Sequence, residues 1–294
     1  MRRRVGRIVV LAVGLCVTRH VDAQEPAVAP AATPAEQYQR LLKACEVGSP
    51  GKVLSDEERI QFVGHAYKVR NEVALRFVEL AEKHPTDPIA REALTQAVWQ
   101  VNTTPWPVEL VGKNDAVARA LALLQRDHVE SDQLGPLCQR LSWGFCQEYE
   151  TFLRAVAQTN PHPEVKAVAV LSLAHFLNHR SQRFELLKEQ PEAARQFEEL
   201  FGHDYVDGLM KQDRDHFPAE AGALLEQVAK EQGDVKLPDG ATIGERARSE
   251  LFDLRNLRVG KVAPEIEGVD QEGVSFKLSD ERGKVVLLDF WSQV

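Results

Sequence analysis

The strongest constraint on this chain is the way proline and capping residues cut residues 33–257 into short helical stretches. Thr33-Pro34-Ala35-Glu36 is a capping box with proline at the first helical position, where its missing N–H has no partner to lose. Ser55-Asp56-Glu57-Glu58 opens a second helix, and Thr242-Ile243-Gly244-Glu245 is another capping box. His84-Pro85-Thr86-Asp87-Pro88 ends one helix and starts the next, and Asn160-Pro161-His162-Pro163 does the same. Between these corners apolar residues fall at helical spacing. Tyr38, Leu41, Leu42 and Cys45 share one face, as do Ile60, Val63, Tyr67, Val73, Phe77 and Leu80, and then Ile89, Ala93, Leu94, Ala97, Val98 and Val101.

After a break over residues 102–112, rich in Pro, Thr and Trp, helices are expected at 115–125, 134–143, 148–158, 191–201, 205–212, 219–231 and 242–255. Residues 165–177 are apolar almost all round and predict a central buried helix. The phrases 81–88 and 157–163 share an order of helix end, His or Asn, Pro, link and Pro, but no strict period holds. The expected class is mainly α, either helical-hairpin repeats or one irregular helical bundle.

The pattern changes near residue 257. Val262-Ala263-Pro264-Glu265-Ile266 and Gly268 lead into Val274-Ser275-Phe276-Lys277-Leu278, which alternates at period two. Arg282-Gly283-Lys284 marks a turn, and residues 285–290 read as a buried-type strand. The expected division is a signal peptide at 1–23, a flexible Ala/Pro-rich leader at 24–32, a helical domain at 33–257 and a β-containing segment at 258–294.

The signal rests on Arg2, Arg3, Arg4 and Arg7 ahead of an apolar run over residues 8–17, too short to span a bilayer. Val21-Asp22-Ala23 suits cleavage before Gln24, which predicts export to the periplasm or cell envelope; a retained anchor and a lipoprotein at Cys16 are the alternatives, the second disfavoured by the bulky Leu15. Residues 1–23 hold five Arg and one Asp, so without them the net charge goes from −8 to −12. An acidic exported chain is a poor partner for nucleic acid or anionic lipid, and no later segment is apolar enough for a membrane span. Three cysteines follow the signal: Cys45, Cys138 and Cys146. On one straight helix Cys138 and Cys146 would lie about 12 Å apart, beyond disulfide reach. A turn at Trp143-Gly144 would let them pair; buried free thiols are the other reading.

Residues 259–291 resemble the opening of the redoxin group, the AhpC/TSA and TlpA/ResA-like thiol proteins. The matching phrases are residues 259–266 (Val-Gly-Lys-Val-Ala-Pro-Glu-Ile), residues 278–287 (Leu-Ser-Asp-Glu-Arg-Gly-Lys-Val-Val-Leu), and Asp289-Phe290-Trp291. The resemblance implies the N-terminal β portion of an incomplete α/β thioredoxin fold and an exported thiol–disulfide oxidoreductase acting on protein thiols and disulfides. Family chemistry uses a Cys-x-x-Cys pair at a strand-to-helix turn, where the helix N-terminus lowers the first thiol's pKa. In the family pattern that pair would follow Val294, so the chain as given is expected to be inactive in disulfide exchange. Asp289 matches the family's buried proton-relay acid, and Trp291 the residue near the pair. The alternative is a non-catalytic extracytoplasmic helical-repeat protein that binds a protein or peptide partner.

Other chemistry is sparse. His175 and His179, spaced i, i+4, share a helix face that could hold a metal given a third donor such as His203, Asp204, Asp213, Asp215 or His216; a capped, partly buried pair is the plainer reading. Adding Cys138 and Cys146 makes a Cys-Cys-His-His set whose cysteine spacing is wide for structural zinc. Glu192, Glu198 and Glu199 read as a solvated helix face, and Trp106 as a packed loop anchor. With no Gly-rich phosphate loop and no Gly-x-Ser-x-Gly, no cofactor is expected.

Overall fold

The computed structural model describes residues 32–46, 55–102, 114–213 and 215–290. The expected signal peptide, most of the leader, Trp106 and Trp291 lie outside them. Eleven helices occur among the described residues: α1 (Pro34–Ala44), α2 (Asp56–Lys83), α3 (Ile89–Asn102), α4 (Asp115–Asp127), α5 (Gly135–Leu141), α6 (Gln147–Thr159), α7 (Pro163–Glu189), α8 (Pro191–Phe201), α9 (His203–Met210), α10 (His216–Glu231) and α11 (Ile243–Asn256). A small antiparallel hairpin follows, β1 (Glu267–Val269) with β2 (Ser275–Lys277). The elements belong to one unit that begins at Pro34.

Local chemistry sets the helix starts. The backbone N–H of Glu58 donates to Ser55 Oγ at 3.2 Å while its carboxylate accepts from the Ser55 N–H at 2.9 Å. Thr242 and Glu245 repeat this reciprocal pair at α11. Both Asx-Pro corners work alike: Asp87 Oδ1 accepts from the Ile89 N–H at 2.9 Å, and Asn160 Oδ1 accepts from the His162 N–H at 2.9 Å.

Packing runs along the chain. α2 lies on α3, α3 on α4, α4 on α6, and α6 on α7; at the other end α10 packs on α7 and α11 on α10. α7 is the hub and also touches α5, α8, α9 and α11. Its first half is buried on all sides, as its sequence predicts, but the helix runs on to Glu189. Past Leu177 only one face stays inside, carrying Arg180, Ser181, Phe184 and Leu187, which is why the all-round apolar pattern stops before the helix does. Phe77, Phe152, Phe176 and Phe184 are the largest fully buried side chains.

The hairpin pairs Glu267 with Lys277, Gly268 with Phe276 and Val269 with Ser275. Asp270 organises its turn by accepting from the N–H groups of Glu272 and Val274, with Gly273 at φ 82°. The Phe276 ring lies over Gly268 so closely that a Cβ there would sit 2.8 Å from it. The expected strand over residues 285–290 does not form. The segment has no ladder partner among the described residues and takes no regular structure, with Val285 at 103%, Leu287 at 91% and Phe290 at 83% exposure. Its composition suits a central strand, but a strand needs a neighbour for its backbone groups, and two short strands offer no covered face.

Candidate functional site

Three places carry the chemistry that the sequence singles out. The first is the segment after α11. Arg258 anchors its start by donating to Ser181 Oγ on α7 at 2.7 Å. Beyond it the backbone turns at Gly260 (φ 87°) and stays largely in solvent. Asp289 is exposed here, not buried, and no partner for it occurs among the described residues.

The second place is the turn between α5 and α6. The chain does reverse there: the Gly144 N–H donates to the Leu141 carbonyl at 3.0 Å. Gly144 is required by space, because a Cβ would lie 2.0 Å from the ring of buried Tyr149. Cys138 and Cys146, on either side of the turn, are free thiols, as is Cys45. Burial pushes the thiols of Cys138 and Cys146 up to about 12. It pushes Cys45 up to about 11 against the opposing charge of Arg70. All three are protonated near neutral pH and offer no thiolate nucleophile.

His175 and His179 stand beside this turn. Their rings stack with centroids 5.9 Å apart. His175 Nε2 lies 2.6 Å from Glu250 Oε1 on α11, and His179 Nδ1 lies 3.1 Å from the Ser142 carbonyl. Burial, outweighing the Ser142 hydrogen bond, holds His179 below the usual histidine value. The Trp143 ring lies tilted against His179, centroids 4.5 Å apart, and is itself 65% exposed. Arg183 fixes the turn by donating to the carbonyls of Gly144 at 2.8 Å and Trp143 at 3.2 Å. Among the described residues no three His, Cys, Asp or Glu side chains gather to hold a metal ion. His203 stands by Glu198 at 3.3 Å rather than by the pair.

The third place is one that the sequence reading missed. Arg180 on α7 is 2% exposed. It pairs with Glu150 on α6 and donates to Tyr205 Oη on α9 at 2.7 Å. Its guanidinium lies over the rings of Phe176, Tyr205 and Phe217. Glu150 also accepts from Arg154, at 2.6 and 2.9 Å, and Arg154 reaches Glu220 on α10 at 2.7 Å. Burial raises the Glu150 carboxyl, but the charge and hydrogen bonds of Arg180, with Arg154 behind them, hold it below the usual range. Tyr205 donates to the Phe145 carbonyl at 2.6 Å, and burial raises its phenol. A signal existed: Arg180 falls four residues after Phe176 and four before Phe184, on the face that stays inside.

A cleft of about 540 Å³ opens beside this network, lined by Cys146, Glu148, Phe201, His203, Asp204 and Tyr205 among others. Burial raises both its thiol and its phenol, which disfavours the anionic form of each. Among the described residues no helix is long and apolar enough to cross a membrane. Comparison with protein-family models, with curated proteins and with solved structures found no match.

Proposed function

We propose that this chain is part of an exported thiol–disulfide oxidoreductase of the redoxin group, in which a region of stacked helical hairpins precedes a thioredoxin-like domain that begins near residue 258. The observation that carries the reading is the segment over residues 285–290. It has the composition of a central strand, follows the redoxin phrases in order, and leaves Val285, Leu287 and Phe290 open to water. Such a run belongs under the remaining strands and helices of a domain. The hairpin from Glu267 to Lys277 lies between the first two of those phrases and adds a short β element ahead of the segment. In that chemistry a thiolate attacks a substrate disulfide and forms a mixed disulfide. A second thiol then displaces the reduced substrate, leaving the protein's own pair oxidised. Cys45, Cys138 and Cys146 do not substitute for that pair, because burial holds each of them protonated.

Two measurements test the proposal. Reading the gene beyond codon 294 in all three frames is expected to reveal Cys-x-x-Cys followed by a thioredoxin-like remainder; its absence sinks the family reading. Purified residues 24–294 are expected to show no dithiol-driven reduction of insulin, and turnover above the uncatalysed rate would mean that one of the three thiols reacts after all. A second reading, a helical protein that binds a protein or peptide, is favoured by Trp143, a large aromatic that stays 65% exposed while His179 and Arg183 hold it in place.

A further inference from the structure

We infer that the seam between α1 and α2 is a docking groove for an extended acidic peptide of a partner protein, one whose carboxylates stand three residues apart. A cleft of about 360 Å³ lies along this seam, lined by Leu41 and Leu80 and by Arg40, Arg76, Glu79 and Lys83. Leu80 is buried, and Tyr38 of α1 packs on Phe77 of α2 with ring centroids 5.5 Å apart, which fixes the two helices against each other. Arg40, Arg76 and Lys83 are exposed, and none of them makes an ion pair among the described residues. Glu82, the next carboxylate on α2, is taken by Arg119 through hydrogen bonds of 2.7 and 2.8 Å. The cleft therefore carries three cations to one carboxylate, in a chain whose formal charge is −8. Like charges gathered without partners repel one another, and an anion relieves them.

The spacing selects the ligand. Arg76, Glu79 and Lys83 fall at i, i+3 and i+7 on α2, so they share one face with the carboxylate in the middle. At 1.5 Å per residue the two cations are rooted about 10 Å apart. A polyproline-II segment has three residues per turn and rises about 3.1 Å per residue, so its side chains at i and i+3 share a face about 9 Å apart. Carboxylates at those two positions meet Arg76 and Lys83, with Arg40 across the seam on α1. Glu79 repels a third anion between them, and Leu41 and Leu80 suit uncharged residues there. A single dianion such as phosphate would have to sit beside Glu79 to reach both α2 cations, so a peptide is favoured over free phosphate. The net negative charge of the chain acts at long range. At about 0.1 M salt, where the Debye length is about 10 Å, it is screened and the groove's own charge acts at contact.

Chemical-shift titration of isotope-labelled residues 24–294 with a capped Pro-Glu-Pro-Pro-Glu-Pro peptide at about 0.1 M salt tests this. Amide signals of α1 and of α2 from Arg76 to Lys83 are expected to move, and to stop moving at about 1 M salt, where the Debye length is about 3 Å. Combining Arg40→Gln, Arg76→Gln and Lys83→Gln is expected to weaken binding about tenfold or more, at about two- to fivefold per charge. The three positions are exposed and glutamine favours helix, so the fold persists, as circular dichroism would confirm. The isomer Pro-Pro-Glu-Glu-Pro-Pro, of equal charge, is expected to bind less well, and Glu79→Gln to narrow that difference. No binding of the spaced peptide, shifts away from the seam, equal binding of the two peptides, or indifference to the triple variant overturns the inference. So does a difference that Glu79→Gln leaves unchanged, or displacement by inorganic phosphate at equal concentration, which would make the site one for a single anion. None of these outcomes bears on the redoxin reading, which stands or falls on the cysteine pair, or on the surface at Trp143.

Discussion

Single side chains at the Asx-Pro corners decide how the helices are joined. Asn160 is buried, and its amide donates to the carbonyls of Val129 at 2.7 Å and Ser131 at 2.9 Å, while its oxygen starts α7 through the His162 N–H. Asp87 performs only the last of these tasks at α3. Asn160→Asp turns a two-proton donor into an acceptor aimed at two carbonyls, and a loss of about 3 kcal/mol is expected from the buried groups it leaves unpaired or opposed. Asp87→Asn keeps the oxygen that matters and should change stability by no more than about 0.5 kcal/mol. Urea unfolding followed by circular dichroism measures both, and equal losses would contradict this division of roles. The two corners are legible in the sequence because an Asx residue before proline can satisfy its own backbone two residues on. The tie from Asn160 back to the 129–131 turn is not legible, since its acceptors are carbonyls that any residue type would supply.

At the scale of elements, α6, α7, α9 and α10 are tied by a half-buried chain of alternating charge, Glu220, Arg154, Glu150 and Arg180, that ends on the Tyr205 hydroxyl and has Arg180 as its fully buried member. The members are unequal. Glu150 keeps Arg154 if Arg180 is removed, whereas Arg180, at 2% exposure, has no second carboxylate among the described residues if Glu150 loses its charge. Glu150→Gln is therefore expected to cost about 3–5 kcal/mol, the range for an uncompensated buried charge, and Arg180→Met no more than about 1–2 kcal/mol because it fills the same aromatic pocket. The double variant should recover part of the Glu150→Gln loss, a sign of coupling that denaturant midpoints of the four proteins would reveal. Additive losses would mean that the network is incidental to α6–α7 packing. Helices were readable from proline, caps and apolar spacing, all local signals. The network spans 71 positions of sequence from Glu150 to Glu220, and each charge alone looks like a solvated face. Residues 285–290 fail in the opposite sense: their strand character is local and plain, but strand formation depends on neighbours that no local pattern supplies.

For the molecule as a whole these buried groups fix how stability responds to acid. His179 is faced by the Ser142 carbonyl and Trp143 from the turn, by His175 and Arg183 along α7, and by Glu250 from α11. Burial lowers its value from 6.5, and burial does the same to His128 beside Asp127 and Arg91. The unfolded chain takes up these two protons near pH 6.5, the folded chain only at lower pH. Between those points the unfolded state binds more protons, so every step toward acid favours unfolding. The contribution is complete above pH 6.5 and is lost as pH falls through the folded values. Glu150 follows the same logic lower down: its folded value lies below the ordinary 4.5, so the stability it supplies is present above pH 4.5 and fades as pH drops through the depressed value. Calorimetric melting between pH 8 and pH 3 should therefore show two declines, one beginning near pH 6.5 and another below pH 4.5. His179→Gln, which can still donate to the Ser142 carbonyl, should flatten the first and leave the second; Glu150→Gln should do the reverse from a lower starting stability. A melting temperature constant from pH 8 to pH 5, or a first decline untouched by replacing both His128 and His179, would show that these imidazoles titrate alike in the folded and unfolded chain. Burial at the end of α4 and beside the α5–α6 turn would then leave their charge in contact with solvent, and the Trp143–His179 contact would lie open rather than packed.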